Sequence, residues 1–386
     1  MRHHVILVPG FFGFGRFGDL PYFAHVQEIL EAGLAARGLP VEVHKVPTPP
    51  TASLAQRAAR LAEAIEARCP GDGALHLVGH SSGGLDARLL VAPGSRLGAD
   101  VDVEAVARRV RTVVTVATPH RGTPVAAFFT GAFGQRVLQI LSLATIYSLR
   151  YGKLPIGILA RLVGVFARLD DVLRLQRTVL DQLYEQLLSD FSDDRRQALS
   201  DFFLEVGKDQ ALVPQLTPDN MEVFDASVAD RPEVAYGCVT TMGRKPGLRT
   251  AWKAGADPYA QLTHGLYGLL HSLSTRFPKS RKPGLPSDYR IPLLRYYPKL
   301  PEADSSDGVV PTLSQLHGEL LFGARADHLD VIGHFDDPKH FPPHYDWLAS
   351  GSGFRRGEFE RLWTAVIDFI AEPVVEGRGV NDIKSA

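Results

Sequence analysis

The chain has 386 residues, of which 45% are hydrophobic and 22% charged, a balance that excludes disordered, collagen-like and low-complexity classes. Forty-two Lys and Arg against forty-three Asp and Glu leave a net charge of −1. No global field draws the chain to nucleic acid or anionic lipid, so a local site must carry any function. The two cysteines, Cys69 and Cys238, sit in no metal-ligand or Cys-x-x-Cys spacing and are expected as isolated buried thiols. The chain opens directly into Val5-Ile6-Leu7-Val8, with no apolar stretch ending in a cleavage signal, which predicts a cytoplasmic location. The apolar run Val137–Leu149, closed by Arg136 and Arg150, is shorter than the ~20 residues needed to span a bilayer, so no transmembrane segment is expected.

In chain order, strand signals at His4–Val8, Val41–Val46, Ala74–Val78 and Val110–Ala117 alternate with helical patterns near Leu20–Arg37, Ala52–Arg68, Leu85–Leu90 and Val103–Arg109. Short apolar strands separated by amphipathic helices predict an α/β fold with a parallel sheet covered on both faces. After Pro124 helical spacing takes over for about ninety residues, with no strand signal until Val234–Thr240. A second irregular stretch, 245–299, holds a helical segment near Tyr259–Thr275. The chain closes with a strand at Glu319–Phe322 and a helix at Glu358–Ile370. The plan is a core of residues 1–124 and 216–386, with a helical cap inserted at 125–215.

Gly79-His80-Ser81-Ser82-Gly83 fits a Gly-x-Ser-x-Gly turn, with Leu75–Val78 as the strand before it and Leu85–Leu90 as the helix after it. That setting exposes a serine on a strained turn and marks Ser81 as the nucleophile. A serine needs a base, and in this arrangement the partners follow in the order Ser, acid, His. Asp307, in Asp304-Ser305-Ser306-Asp307-Gly308, leads as the acid, with Asp304 as its competitor. His328 leads as the base because it closely follows the last strand; His317, His334, His340 and His344 remain alternatives. Oxyanion donors are expected from the backbone N–H groups of Ser82 and Phe11, Gly10 letting the first loop turn toward the serine.

Gly13-Phe14-Gly15-Arg16-Phe17-Gly18 spells a dinucleotide-binding fingerprint. It begins five residues beyond the strand, carries phenylalanines where a pyrophosphate should approach, and lacks an acid at the end of the second strand. Nucleotide binding is therefore not expected.

Together these residues resemble the bacterial triacylglycerol lipases and esterases of the α/β-hydrolase superfamily. Val8-Pro9-Gly10-Phe11-Phe12-Gly13 is similar to their oxyanion loop, with Pro9 in place of the more usual histidine. Gly79–Leu85 is similar to their elbow, and Thr118-Pro119-His120-Arg121-Gly122-Thr123-Pro124 resembles the loop that introduces their lid. Asp307-Gly308-Val309-Val310 and Asp327-His328-Leu329-Asp330 resemble their acid and base segments. The resemblance implies an α/β-hydrolase fold and a serine carboxylester hydrolase working through an acyl-enzyme on hydrophobic, acylglycerol-like esters. It also implies secretion, against the cytoplasmic expectation above.

The same resemblance implies a structural calcium ion beside the base, held by Asp330 and by Asp337 of the loop Asp336-Asp337-Pro338; the alternative is a solvated acidic loop. His334, His340 and His344 suggest zinc instead, but Pro342-Pro343 keeps His340 and His344 from sharing a helical face. Apolar residues such as Leu138, Leu141, Leu154, Ile158 and Leu162 make the cap either a lid opening at a lipid–water interface or a packed subdomain that narrows the site. Two functional alternatives stand beside ester hydrolysis. The same triad can serve polyesters, thioesters, amides or acyl transfer, or an idle hydrolase fold can bind a lipid or a partner.

Overall fold

The Val- and Leu-rich runs pair side by side because parallel strands buried on both faces need apolar residues in nearly every position. The computed structural model describes the chain apart from residues 1, 12–21, 152–153, 168–176, 198, 201–208, 278–281, 342–343, 345 and 373–386. Six strands, β1 (His3–Val8), β2 (Val41–Lys45), β3 (Ala74–His80), β4 (Val110–Val116), β5 (Ala235–Thr241) and β6 (Glu319–Ala324), form one sheet in the order β2-β1-β3-β4-β5-β6. Every neighbouring pair is parallel. Strand β3 is buried at every residue, as a central strand under two helical layers must be.

Helices α1 (Val26–Ala36) and Arg356–Ala371 cover one face, where Trp363 and Leu362 are fully buried. Helices α2 (Leu54–Arg68), α3 (Ser82–Val91) and α4 (Val103–Arg109) cover the other. The expected helix near Leu20–Arg37 begins only at Val26; its proposed first residues 20–21 lie outside the described chain. The other expected strands and helices of the core lie within a few residues of their observed bounds.

Between β4 and β5 the chain is helical throughout its described elements: α5 (Pro124–Phe129), α6 (Ala132–Tyr151), α7 (Ile156–Ala167), α8 (Arg177–Ser189), then Leu212–Gln215 and Pro218–Ser227. With the later helix Pro258–Ser274 they share a hydrophobic cluster that includes Ile140, Leu143, Leu162, Leu183 and Tyr267. Among the described residues no helix is long and apolar enough to cross a membrane. Cys69 and Cys238 are free and buried, as expected from their spacing.

Candidate active site

The sheet delivers Ser81 at the carboxyl end of β3, directly before α3. Its backbone sits at φ 54° and ψ −131°, a conformation that serine holds only under strain. The Ser81 N–H donates to the Val116 carbonyl at 2.9 Å, and the Gly84 N–H donates to the Ser81 carbonyl at 3.1 Å. A Cβ on Gly79 would collide with the Gly83 and Gly84 backbone, and one on Gly83 would meet the Val8 and Pro9 carbonyls. The glycine spacing is thus a packing requirement of the turn.

The loop after β1 closes on the same serine. A Cβ at Gly10 would lie 2.7 Å from the Ser81 Cβ, so the backbone leading to Phe11 runs hard against it. Phe11 is half-buried and Ser82 fully buried as the first residue of α3. This loop is anchored from below by Arg57, which donates to the Pro9 carbonyl at 3.0 Å and pairs with Asp86 at 2.6 Å, both side chains being inaccessible to solvent. Burial nevertheless pushes the Asp86 carboxyl up to about 6, opposed by Arg57. The glycine fingerprint at 13–18 lies outside the described residues.

Asp307 and His328 come together from two separate loops. His328 Nδ1 lies 2.8 Å from Asp307 Oδ2. The Asp307 carboxylate is fully buried yet well supplied with donors. Oδ1 accepts the N–H groups of Val309 and Val310 at 2.8 and 2.7 Å, and Oδ2 accepts from Thr241 Oγ1 at 2.7 Å and Gln315 Nε2 at 3.2 Å. Such a set fixes the orientation of the carboxylate. The competitor Asp304 is instead paired with Lys245 at the surface. His317 is instead bonded to Asp230, His334 to the Tyr22 carbonyl and His344 to the Gly333 carbonyl.

Two further residues, not singled out beforehand, bind these loops together. The Gly10 N–H donates to Tyr22 Oη at 2.8 Å, and Tyr22 Oη lies 2.7 Å from His80 Nδ1. His80 Nε2 lies 2.9 Å from the His328 carbonyl. A carbonyl only accepts, so Nε2 carries the proton, Nδ1 accepts, and the tyrosine hydroxyl donates. Burial drives the His80 pKa well below its ordinary value and keeps it neutral. The only sequence signal was His80 itself, in the variable position of the elbow; Tyr22 carried none.

Ser81, His80, His328 and Phe11 line one pocket. The rest of its wall is mostly apolar, with Val125 and Phe129 from α5, Leu138 from α6, Leu159 and Leu162 from α7, and Leu266 from Pro258–Ser274. The loop that introduces these helices is tied to the acid loop. Thr123 Oγ1 donates to the Val309 carbonyl at 2.6 Å, and Ser314 Oγ donates to the Gly122 carbonyl at 2.7 Å.

The acidic residues after the base divide differently from expectation. Asp330 clusters with Asp327 and Asp346, one oxygen of each lying within 4.8 Å of the others. Asp337 joins no such group among the described residues and exchanges backbone hydrogen bonds with His344 instead. Asp337 and His344 form an isolated antiparallel bridge, so the segment turns back on itself there. Asp327 Oδ2 is buried without a hydrogen-bond partner, and burial pushes the Asp327 carboxyl up to about 6 and the other two upward as well. Three hard carboxylate oxygens with one unsatisfied suit a divalent cation such as calcium. The His340 and His344 ring centroids lie 5.0 Å apart, with His25 edge-on to the first and tilted against the second. The prolines 342–343 lie outside the described residues.

No family model matches the chain, and no curated protein matches it in sequence. Solved structures do match in fold. EstA from Clostridium botulinum is 17% identical, with 96% of this chain and 87% of that one covered at a TM-score of 0.51. Lipase 1 from Pelosinus fermentans is 16% identical, with 97% and 100% covered at 0.51. The Staphylococcus hyicus lipase is 14% identical, with 96% and 95% covered at 0.50. The parallel sheet, its flanking helices and these matches place the chain in the α/β-hydrolase fold, the fold of bacterial lipases and esterases.

Proposed function

We propose that this protein is a serine carboxylester hydrolase of lipase type, cleaving esters with apolar acyl groups. The observation that carries the reading is the Asp307–His328 pair at 2.8 Å opening onto the pocket that holds the strained Ser81. Ser81 Oγ attacks the acyl carbonyl carbon while His328 Nε2 takes its proton. Asp307 keeps the proton of His328 on Nδ1 and stabilises the imidazolium that forms. The N–H groups of Phe11 and Ser82 receive the oxyanion. Collapse of the tetrahedral intermediate passes the proton from His328 to the leaving alcohol, and water repeats the sequence on the acyl-enzyme. The mostly apolar wall favours an acyl chain over a charged substrate. The lipases and esterases that share the fold support this chemistry. The helices between β4 and β5 act as the cap over the acyl chain.

Calcium belongs to the same reading as a structural brace, with Asp330 held alongside Asp327 and Asp346. Asp337 joins no such cluster among the described residues. It supplies no step of the chemistry.

The test is hydrolysis of p-nitrophenyl esters from acetate to palmitate, wild type against Ser81→Ala. Removing a nucleophile of this kind costs on the order of 10⁶ in kcat. Undiminished turnover in the mutant would remove Ser81 from the mechanism. Activity confined to acetate would count against the acyl pocket.

A further inference from the structure

A second cluster of reactive side chains lies away from the catalytic pocket, where β1 and edge strand β2 meet the end of α2. His4 and Glu42 are register partners in the two parallel strands, and His44 follows Glu42 by two residues. The strand period of two therefore puts all three side chains on one face. That face is the one covered by α2, whose C-cap residue Cys69 is 1% exposed and packs in the same cluster as Ile6 and Ile65.

The distances match one metal ion. His4 Nδ1 and His44 Nε2 are 3.2 Å apart, and Glu42 Oε2 lies 3.5 Å from the first and 3.8 Å from the second. One ligand atom from each of His4, His44 and Cys69 lies within 4.8 Å of the other two. With zinc–nitrogen bonds of ~2.0–2.1 Å, the edge of a coordination tetrahedron is about 3.3–3.4 Å, and longer toward sulfur. We propose that His4, His44, Cys69 and Glu42 form a structural zinc site.

The donor chemistry selects the ion. Two imidazoles and a thiolate suit zinc and exclude calcium or magnesium. A paired histidine alone would not carry this. His3 and His76 are also bonded, at 3.1 Å, but among the described residues no thiol or carboxylate joins them in a cluster, and His76 Nδ1 is engaged by Thr112. Burial raises the Cys69 thiol above its ordinary range, so zinc binding displaces its proton to solvent as the sulfur–zinc bond forms. Arg109 opposes a cation here, but its guanidinium is committed to the Cys69 and Gly73 carbonyls and to Glu66. Thiolate and carboxylate together balance the charge of the ion. The Glu42 side chain is 64% exposed, which leaves an entry path and a mobile fourth arm. The ion would clamp the edge strand and the end of α2 to β1.

The experiment uses full-length protein freed of metal by a chelator, then titrated with zinc chloride and, separately, cobalt chloride. One zinc per chain is expected, with a melting temperature raised by a few degrees. Cobalt should give tetrahedral visible bands with a thiolate-to-metal charge-transfer band. Cys69→Ser should abolish the charge-transfer band, and His44→Gln should weaken zinc binding at least ~10-fold. Both should leave ester hydrolysis unchanged. His344→Ala and Asp346→Asn, which alter the other two clusters, should leave the cobalt spectrum unchanged. Absence of zinc binding, a cobalt spectrum without the thiolate band, or wild-type affinity in His44→Gln would each overturn the assignment. His44 is partly exposed, so its variant decides the matter even if Cys69→Ser fails to fold.

Discussion

The wall of the pocket that carries His328 and the wall built by the helices between β4 and β5 are held by different forces. On the first, Asp307 alone takes hydrogen bonds from Val309, Val310, Thr241, Gln315 and His328, all at 2.7–3.2 Å. On the second, Ile140, Leu143, Leu159, Leu162, Leu183 and Leu187 are buried to within 1% of full coverage, and the polar ties Arg136–Asp181 and Arg161–Gln186 lie outside them. A polar network has one satisfied geometry, and a missing partner leaves a buried group stranded. Apolar packing tolerates volume-conserving change. The polar wall is therefore fixed in shape, while the apolar wall can be retuned.

The largest expected effect lies on the polar wall. Asp307→Asn keeps the volume but loses the charge and favours the wrong tautomer of His328, so kcat should fall by about 10⁴ with little change in circular dichroism. A loss under tenfold would mean that the network is only structural. Tyr22→Phe comes next. It strands the Gly10 N–H and His80 Nδ1, loosening the loop after β1 against the His328 loop. Two lost bonds at ~0.5–1.5 kcal/mol each predict a fall in kcat of roughly tenfold to a hundredfold, with KM for a short ester nearly constant. A rise in KM alone would move Tyr22 from the polar wall to the substrate-binding one.

The opposite wall should respond by selectivity. Leu162→Phe, at a buried α7 position facing the pocket, adds bulk where an acyl chain would lie. A mismatch of one methylene in an apolar pocket is worth ~1–3 kcal/mol, so preference between butyrate and octanoate should shift about tenfold or more toward the shorter ester. Equal loss on all chain lengths would show that the acyl chain lies elsewhere.

The same contrast explains what the sequence revealed. Ser81, with its glycines and flanking strand and helix, was legible because the turn is a local steric problem solved within a few residues. Asp307 and His328 were reachable through chain order and the strand at Glu319–Phe322. Tyr22 was not, because its role depends on contacts with Gly10 and His80 that only the closed sheet creates. Asp337 is hard to place from sequence for a related reason. Its sequence neighbourhood implied a ligand, but the turn that pairs it with His344 puts Asp327 and Asp346 beside Asp330 instead.

A further expectation concerns how the polar wall responds to acid. His334 is 5% exposed, stacks on Trp347 at 4.2 Å and lies 3.0 Å from the Tyr22 carbonyl, and burial lowers its pKa from 6.5 to about 4. A folded pKa below the unfolded one means that the unfolded chain binds more protons between those two values. Its contribution is therefore complete above about pH 6.5 and declines as pH falls toward 4, by up to about 3 kcal/mol. The raised carboxyls Asp86 and Asp327 act in the opposite sense, since each favours folding below its ordinary value and loses that as pH rises through about 6. The two signs overlap, so the wild-type melting curve alone cannot separate them. His334→Gln removes one histidine while leaving a donor for the Tyr22 carbonyl and all three acidic residues beside His328. Its melting temperature should approach or exceed that of the wild type near pH 4.5 and fall below it near pH 7.5. A gap between the two proteins that stays constant from pH 7.5 to 4.5 would show that His334 titrates alike in the folded and unfolded chain, and that this wall is held without excluding its proton.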